Sequence, residues 1–170
     1  MIYDPAEDSF LLAKHVKKYA KGKVLDLGTG SGFLAEVALE NTKDVLAADI
    51  QEEVVNYVKK KGINAVKSDL FSNIKGKFNL IIFNPPYLPF EDLEDEESRL
   101  ITTGGESGNE VLSKFLSEAH NFLEKDGKIL IVTSSLTPNV DKLAKKYKFK
   151  IEILEKMKVF FEELIVYLLQ

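Results

Sequence analysis

The sequence predicts an α/β domain: an open, mostly parallel sheet with helices on both faces. Apolar runs of strand length alternate with helical spacing from end to end. Glycines or acids follow several of those runs, where open α/β sheets place their ligands. No repeat, low-complexity tract or linker breaks the pattern, so the 170 residues read as one domain, 1–170.

The elements follow in order. Residues 5 to 20 carry a helical stripe through Phe10, Leu11, Leu12 and Val16, with Lys17, Lys18 and Lys21 near its end. Lys23 to Leu27 is strand one, and a Gly-rich turn follows. Helical spacing resumes over 31 to 41 through Phe33, Leu34, Val37 and Ala38. Asp44 to Ala48 is strand two. Gln51 to Lys61 is a helix stopped by Gly62. Ile63 to Lys67 is strand three and Phe78 to Phe83 strand four. Pro85 to Ser107 has no clear period and is too long for a mere connector. Asn109 to Leu123 is helical, and Asp126-Gly127 turns the chain into strand five, Lys128 to Thr133. Pro138 opens a helix reaching Tyr147. Two final extended runs, Phe149 to Lys156 and Val159 to Leu169, have no helix between them and imply an antiparallel hairpin at one edge.

Composition excludes several chemistries. The 45% hydrophobic and 29% charged residues are ordinary for a soluble globular domain. No segment approaches the roughly 18 apolar residues of a membrane span. The acidic start, Met1 to Asp8, has no basic n-region, so it does not read as a signal peptide, and cytoplasmic residence is the default expectation. Zero cysteines remove disulfides, thiolate catalysis and cysteine-ligated metals. His15 and His120 both fall in helical patterns and read as structural or solvent-facing, so no metal site is expected. A net charge of −4 argues against a nucleic-acid platform.

Asn84-Pro85-Pro86-Tyr87 ends strand four, because two prolines cannot continue a sheet ladder. Asn84 offers a side-chain carbonyl, Pro85 a carbonyl on stiff backbone, and Tyr87 a flat face with a polar tip. Together they suit a planar –NH2 group; the plainer alternative is a Pro-rich turn with a capping Asn. Upstream, Asp26-Leu27-Gly28-Thr29-Gly30-Ser31-Gly32 follows strand one. Its glycines let the backbone turn sharply and a ligand approach. The spacing is neither the dinucleotide fingerprint nor a phosphate-loop motif. Asp49 ends strand two, where a carboxylate can accept both hydroxyls of a ribose. Asp69 follows strand three and can accept from an adenine amino group, with Leu70 against the ring. Singly, Asp49 could cap a helix and Asp69 hold a turn. Acids after three adjacent strands suit a cationic sulfonium cofactor better than a pyrophosphate.

In this order, Asp26-x-Gly28-x-Gly30-x-Gly32, Asp49, Asp69 and Asn84-Pro85-Pro86-Tyr87 resemble the Rossmann-like class I S-adenosylmethionine-dependent methyltransferases. The opening Tyr3-Asp4-Pro5-Ala6-Glu7-Asp8-Ser9-Phe10-Leu11-Leu12 and the later Gly104-Gly105-Glu106-Ser107-Gly108-Asn109-Glu110-Val111 resemble the HemK-like protein-(glutamine-N5) methyltransferases, in their short archaeal and eukaryotic branch. The resemblance spans nearly the whole chain. It implies a seven-stranded sheet with an antiparallel last strand. It implies S-adenosyl-L-methionine as cofactor and, as substrate, the glutamine of the Gly-Gly-Gln motif in a class 1 peptide-chain release factor. Ser9, Asp26, Gly28, Gly30, Asp49, Asp69, Leu70 and Asn84 would hold the cofactor, and Asn84, Pro85 and Tyr87 the substrate amide. Asp26 stands where relatives often carry Glu. The resemblance also implies a small zinc-binding activator protein pairing along a sheet edge, which places it at strand three near Ile63, Ala65 and Val66; those residues could instead be core.

Rival functions remain at this point. An adenine-N6 methyltransferase on DNA or RNA could use the same tetrapeptide. However, Glu91-Asp92-Leu93-Glu94-Asp95-Glu96-Glu97 follows it directly and would repel a phosphate backbone. That run otherwise reads as a solvated loop, or as a lip attracting a basic protein. A protein-lysine methyltransferase and a cofactor-binding scaffold subunit are the others.

Overall fold

A computed structural model describes residues 2–86 and 108–170. Along the chain run α1 (Glu7–Tyr19), β1 (Val24–Leu27), α2 (Phe33–Leu39), β2 (Val45–Asp49), α3 (Glu52–Lys60), β3 (Ala65–Lys67) and β4 (Phe78–Phe83). Then come α4 (Glu110–Ala119), a 3-10 turn (His120–Phe122), β5 (Leu123–Ser134), α5 (Val140–Lys146), β6 (Ile151–Val159) and β7 (Glu162–Leu169).

The strands join one seven-stranded sheet in the order β3-β2-β1-β4-β5-β7-β6. β3, β2, β1, β4 and β5 are parallel neighbours, and β7 runs antiparallel to both β5 and β6. The terminal hairpin expected from the two extended runs therefore forms at the edge. Its second strand, not its first, docks onto β5.

Side chains alternate across the sheet and fill two cores. Val24, Ala47, Leu80, Ile82, Leu130 and Val166 face α1, α2 and α3. Leu25, Leu27, Ile81, Phe83, Ile129 and Ile131 face α4 and α5. The central strands are buried on both faces, which is why they read as unbroken apolar runs.

Two expectations need correction. Strand five begins at Leu123, before the Asp126-Gly127 turn. Phe78 pairs with Leu123 and Leu80 with Lys128, so the residues between are looped out. Buried Phe78 and Leu123 gain from pairing, and Gly127 permits the tight return: a Cβ there would lie 2.8 Å from the Phe78 carbonyl oxygen. Strand three shortens to Ala65–Lys67, and Ile63 and Ala65 are buried in the α1–α3 core. They are not an exposed apolar edge. A partner at β3 would meet the outer side of a strand that pairs only with β2 among the described strands.

His15 pairs with Glu155 at 2.8 Å, tying α1 to β6. His120 stacks on Phe149 with ring centroids 3.8 Å apart.

Phe115 of α4 links this scaffold to the end of β4. It lies 4.5 Å from Phe83 and 5.4 Å from Phe71, centroid to centroid. It is fully buried, so Phe115→Ala leaves a cavity costing about 3–5 kcal/mol. Urea unfolding is expected to show that loss, whereas a change below about 1 kcal/mol would mean the core collapses around the gap.

Candidate active site

Register brings the candidate residues into one row. Leu27 of β1 pairs with Ala48 of β2 and with Phe83 of β4. The next residues are Gly28, Asp49 and Asn84, so these three stand side by side at neighbouring strand ends, about 4.8 Å apart per strand. Beyond Asp49, strand β3 ends at Lys67 and leads into Ser68-Asp69-Leu70. The row lies where the strand order reverses, the crevice in which such sheets bind ligands.

Asp26 sits inside β1, 1% exposed. The Thr29 hydroxyl donates to it at 2.5 Å, and the Ala35 N–H also reaches it. Its carboxyl therefore braces the glycine turn from below. Burial pushes its pKa up to about 7 against those two donors. Gly30, at φ +52°, is covered by Tyr3: a Cβ would lie 3.3 Å from the Tyr3 Cβ. The backbone here needs a left-handed conformation and leaves no room for a side chain.

Asp49 accepts from the Gly30 N–H at 3.2 Å and the Gln51 N–H at 3.0 Å. Burial raises its pKa despite those donors. The Ile50 N–H also reaches it; a carboxylate has about four lone-pair sites, so these donors still leave capacity for a ligand hydroxyl. Asp69 is exposed and pairs with Lys114 of α4 at 3.1 Å. Leu70 is half-buried at φ +46°, uncommon for leucine. The buried Ser68 holds this turn, donating to the Leu70 carbonyl at 2.6 Å and accepting from the Asn73 N–H at 3.0 Å.

Asn84 is held from the opposite end of the chain. Its Nδ2 donates to Asp8 Oδ2 at 3.1 Å and lies 3.4 Å from Ser9 Oγ. Asp8 also accepts from the Tyr3 hydroxyl at 2.7 Å and from the Ser9 N–H at 2.5 Å. Burial, then the Asp8 carboxylate, pushes the Tyr3 phenol up. A carboxylate can only accept, so Asp8 fixes which way the Asn84 amide points. The Asn84 Oδ1 is buried and takes no hydrogen bond among the described residues. Leaving a buried carbonyl unpaired costs about 1–3 kcal/mol, and such an atom calls for an explanation. A donor arriving with a substrate supplies one.

The structure thus gathers Ser9, Asp26, Gly28, Gly30, Asp49 and Asn84 around one crevice, with Asp69 and Leu70 at its β3 side. Pro85 is buried and Pro86 half-buried. Tyr87, the acidic run 91–97 and residues 104–107 lie outside the described residues. Asp8, Tyr3 and Ser68 carry parts of the site that the sequence reading did not single out. The signal for Asp8 and Tyr3 was their place in the opening motif. Ser9 serves the Asp8–Asn84 cluster, its hydroxyl 3.2 Å from Asp8 Oδ1.

A glycine turn, an acid after β2, an apolar turn after β3 and an amide-tipped β4 define a methyltransferase, and the chain belongs to the Methyltransferase small domain family, which it matches over residues 4–161. Its cofactor is S-adenosylmethionine. It is 40% identical to a candidate protein N5-glutamine methyltransferase of Methanocaldococcus jannaschii, across 97% of this chain and 89% of that one. It is 32% identical to the release factor glutamine methyltransferase of Streptococcus pneumoniae, across 64% of this chain and 44% of that one, so it spans under half of the bacterial relative. In fold it matches the E. cuniculi Mtq2-Trm112 complex structure, whose subject methylates the termination factor eRF1: TM-score 0.81, 23% identity, 99% of this chain and 98% of the other.

The raised Asp26 pKa has a stability consequence. Between the ordinary carboxyl value and about 7, the folded protein holds a proton that the unfolded chain has released. Stability therefore falls as pH rises through that window, by at most about 1.4 kcal/mol per pH unit for one group. Asp26→Asn is expected to flatten the decline of the urea midpoint between pH 5 and 8. The shift at Asp49 has the same sign and leaves a residual slope. Parallel pH profiles would contradict a proton on Asp26.

Proposed function

We propose that this chain transfers a methyl group from S-adenosylmethionine to the side-chain nitrogen of a glutamine, the glutamine of the Gly-Gly-Gln motif in a peptide-chain release factor. The observation that carries the reading is the Asn84 Oδ1: buried, unpaired among the described residues, and turned away from Asp8 by the bond its Nδ2 makes there. The naming of the relatives as glutamine methyltransferases supports the same acceptor.

The residues present fit the cofactor. Gly28 and Gly30, both at positive φ, give the turn the sharp course along which the cofactor would lie. Asp49 would accept a ribose hydroxyl, Asp69 the adenine amino group, and Leu70 would pack against the ring. When bound, S-adenosylmethionine supplies an electrophilic methyl on a sulfonium. Asp26 and Ser9 act on the walls, bracing the glycine turn and the Asn84 cluster.

A carboxamide nitrogen is a poor nucleophile, because its lone pair is delocalised into the carbonyl. Asn84 Oδ1 and the Pro85 carbonyl would each accept one of its N–H groups, and Tyr87 would pack against its plane. That grip places the nitrogen and turns its lone pair toward the donor. Positive charge developing on nitrogen strengthens both hydrogen bonds, so they favour the transition state over the ground state. No dedicated base is needed, since the methylated nitrogen sheds its proton readily.

We also propose a small partner subunit of the zinc-binding activator kind, seated at β3, the end strand of the sheet. The two-protein composition of the Mtq2-Trm112 structure supports it.

Labelled methyl transfer to the release factor, to its Gln→Ala variant and to DNA tests the function. Label is expected on the first alone; label on the variant or on DNA would sink the reading. Asn84→Ala is expected to cut turnover on the order of 10²-fold while cofactor affinity stays within about twofold. An affinity loss matching the rate loss would put Asn84 on the cofactor instead.

A further inference from the structure

The corner where β5, β6 and β7 end carries side chains that the active site does not use. Phe160 and Phe161, at the tip of the β6–β7 hairpin, are 100% and 99% exposed. Leu136, in the loop after β5, is 51% exposed. The Ser135 N–H donates to the Glu163 carbonyl at 2.7 Å, and the Glu163 N–H to the Ser135 Oγ at 2.9 Å. That pair of bonds staples the loop that carries Leu136 to Glu163, two residues along the hairpin from Phe161. A groove of about 660 Å³ opens next to them, with Ile151, Ile153, Ile165 and Tyr167 on its apolar side and Ser135 and Glu163 on its wall. Scattered exposed apolar residues need no explanation, but an aromatic pair at a stapled tip beside an apolar groove does.

Topology puts this corner on the catalytic rim. β5 and β6 run parallel to β4, so their carboxyl ends point the same way as Asn84. Register sets Asn84 level with Val132 and Val166, so the hairpin tip lies two to three strand spacings across the sheet and about five residues further along it, roughly 20 Å away. A protein delivering a side chain to Asn84 covers roughly 800 Å² of this surface, a disc of about 16 Å radius. Such a footprint is about 32 Å across and can span both Asn84 and this corner. Its charges are mixed, with Glu162 and Glu163 against Lys156 and Lys158, Lys156 pairing with Glu163 at 2.9 Å and Asp141 with Lys145 at 3.7 Å; that is no basic stripe of the kind that tracks a phosphate backbone.

We propose that Leu136, Phe160 and Phe161 form a docking anchor for an apolar surface of the protein substrate beside its acceptor glutamine. The inference rests on the glutamine reading and adds where the substrate is gripped. Exposed aromatic anchors that become buried supply the largest single contributions at protein interfaces.

Steady-state methyl transfer tests it, with the partner subunit supplied and two substrates: the intact release factor and a short Gly-Gly-Gln peptide that cannot reach the corner. Phe160→Ser/Phe161→Ser is safe for folding, because both side chains already stand in solvent. The double variant is expected to raise KM for the intact factor at least tenfold, leaving kcat, cofactor affinity and peptide turnover unchanged. Leu136→Ser is expected to act the same way more weakly. Unchanged KM in the double variant, with an active wild type, overturns the anchor and leaves the glutamine reading standing. A wild type inactive on factor and peptide overturns that reading and the anchor together. Loss of self-association or of RNA binding in the variant, with KM for the factor intact, assigns the corner elsewhere and overturns the anchor.

Discussion

One carboxylate, Asp8, sets the geometry on which the site depends. It collects the Tyr3 hydroxyl, the Ser9 N–H and the Asn84 amide, groups brought together from the first residues of the chain and from the end of β4. Each of these donors would be costly to bury alone. Gathered on one acceptor they form a small network in which, among the described residues, the Asn84 Oδ1 takes no hydrogen bond. The same Tyr3 also covers Gly30 and accepts from the Ser31 N–H at 3.2 Å. The opening segment is thus the strap joining the glycine turn to the substrate-gripping amide.

Behind this network stands the register of three strands. Gly28, Asp49 and Asn84 are neighbours only because Leu27 pairs with both Ala48 and Phe83. A slip by one residue would turn Asp49 or Asn84 to the wrong face. Register is held by burial on both sides of the sheet, and Phe83, one residue before Asn84, is clamped by Phe115. Core packing and site geometry are therefore one constraint at the end of β4.

Much of this was legible in the sequence. Alternating apolar runs and helical stripes announce a parallel sheet, and the double proline gives the end of β4 without structure. The acids after strands one, two and three were read as ligand-facing. Asp49 stands at the end of β2 and bonds the Gly30 N–H of the glycine turn, while Asp26 lies under the loop and bonds Thr29. Strand alternation does not separate the two, since Asp26 pairs with Ala47, two residues before Asp49, and both side chains share one face; Asp26 lies deeper in the sheet, and that depth cannot be read until register is known. Asp8 was hidden because its partner is 76 residues away. Ser68 was hidden because a serine that shapes a turn looks like any loop serine. The apolar residues of strand three were read as an edge and proved to be core, since Ile63 packs before the strand begins. Tyr87 and the acidic run after it, on which the sequence argument leaned, lie outside the described residues.

If Asp8 works by aiming the Asn84 amide, its effect must vanish when that amide is gone. Asp8→Asn places an amide where the carboxylate was, and Asn84 can then swing its Oδ1 inward to accept from it. A double-mutant cycle of Asp8→Asn and Asn84→Ala, read on kcat with cofactor affinity monitored, measures this coupling directly. The account predicts that Asp8→Asn lowers kcat nearly as far as Asn84→Ala and costs nothing more in the Asn84→Ala background. Losses that multiply across the two variants would show that Asp8 acts independently of Asn84 and would contradict it.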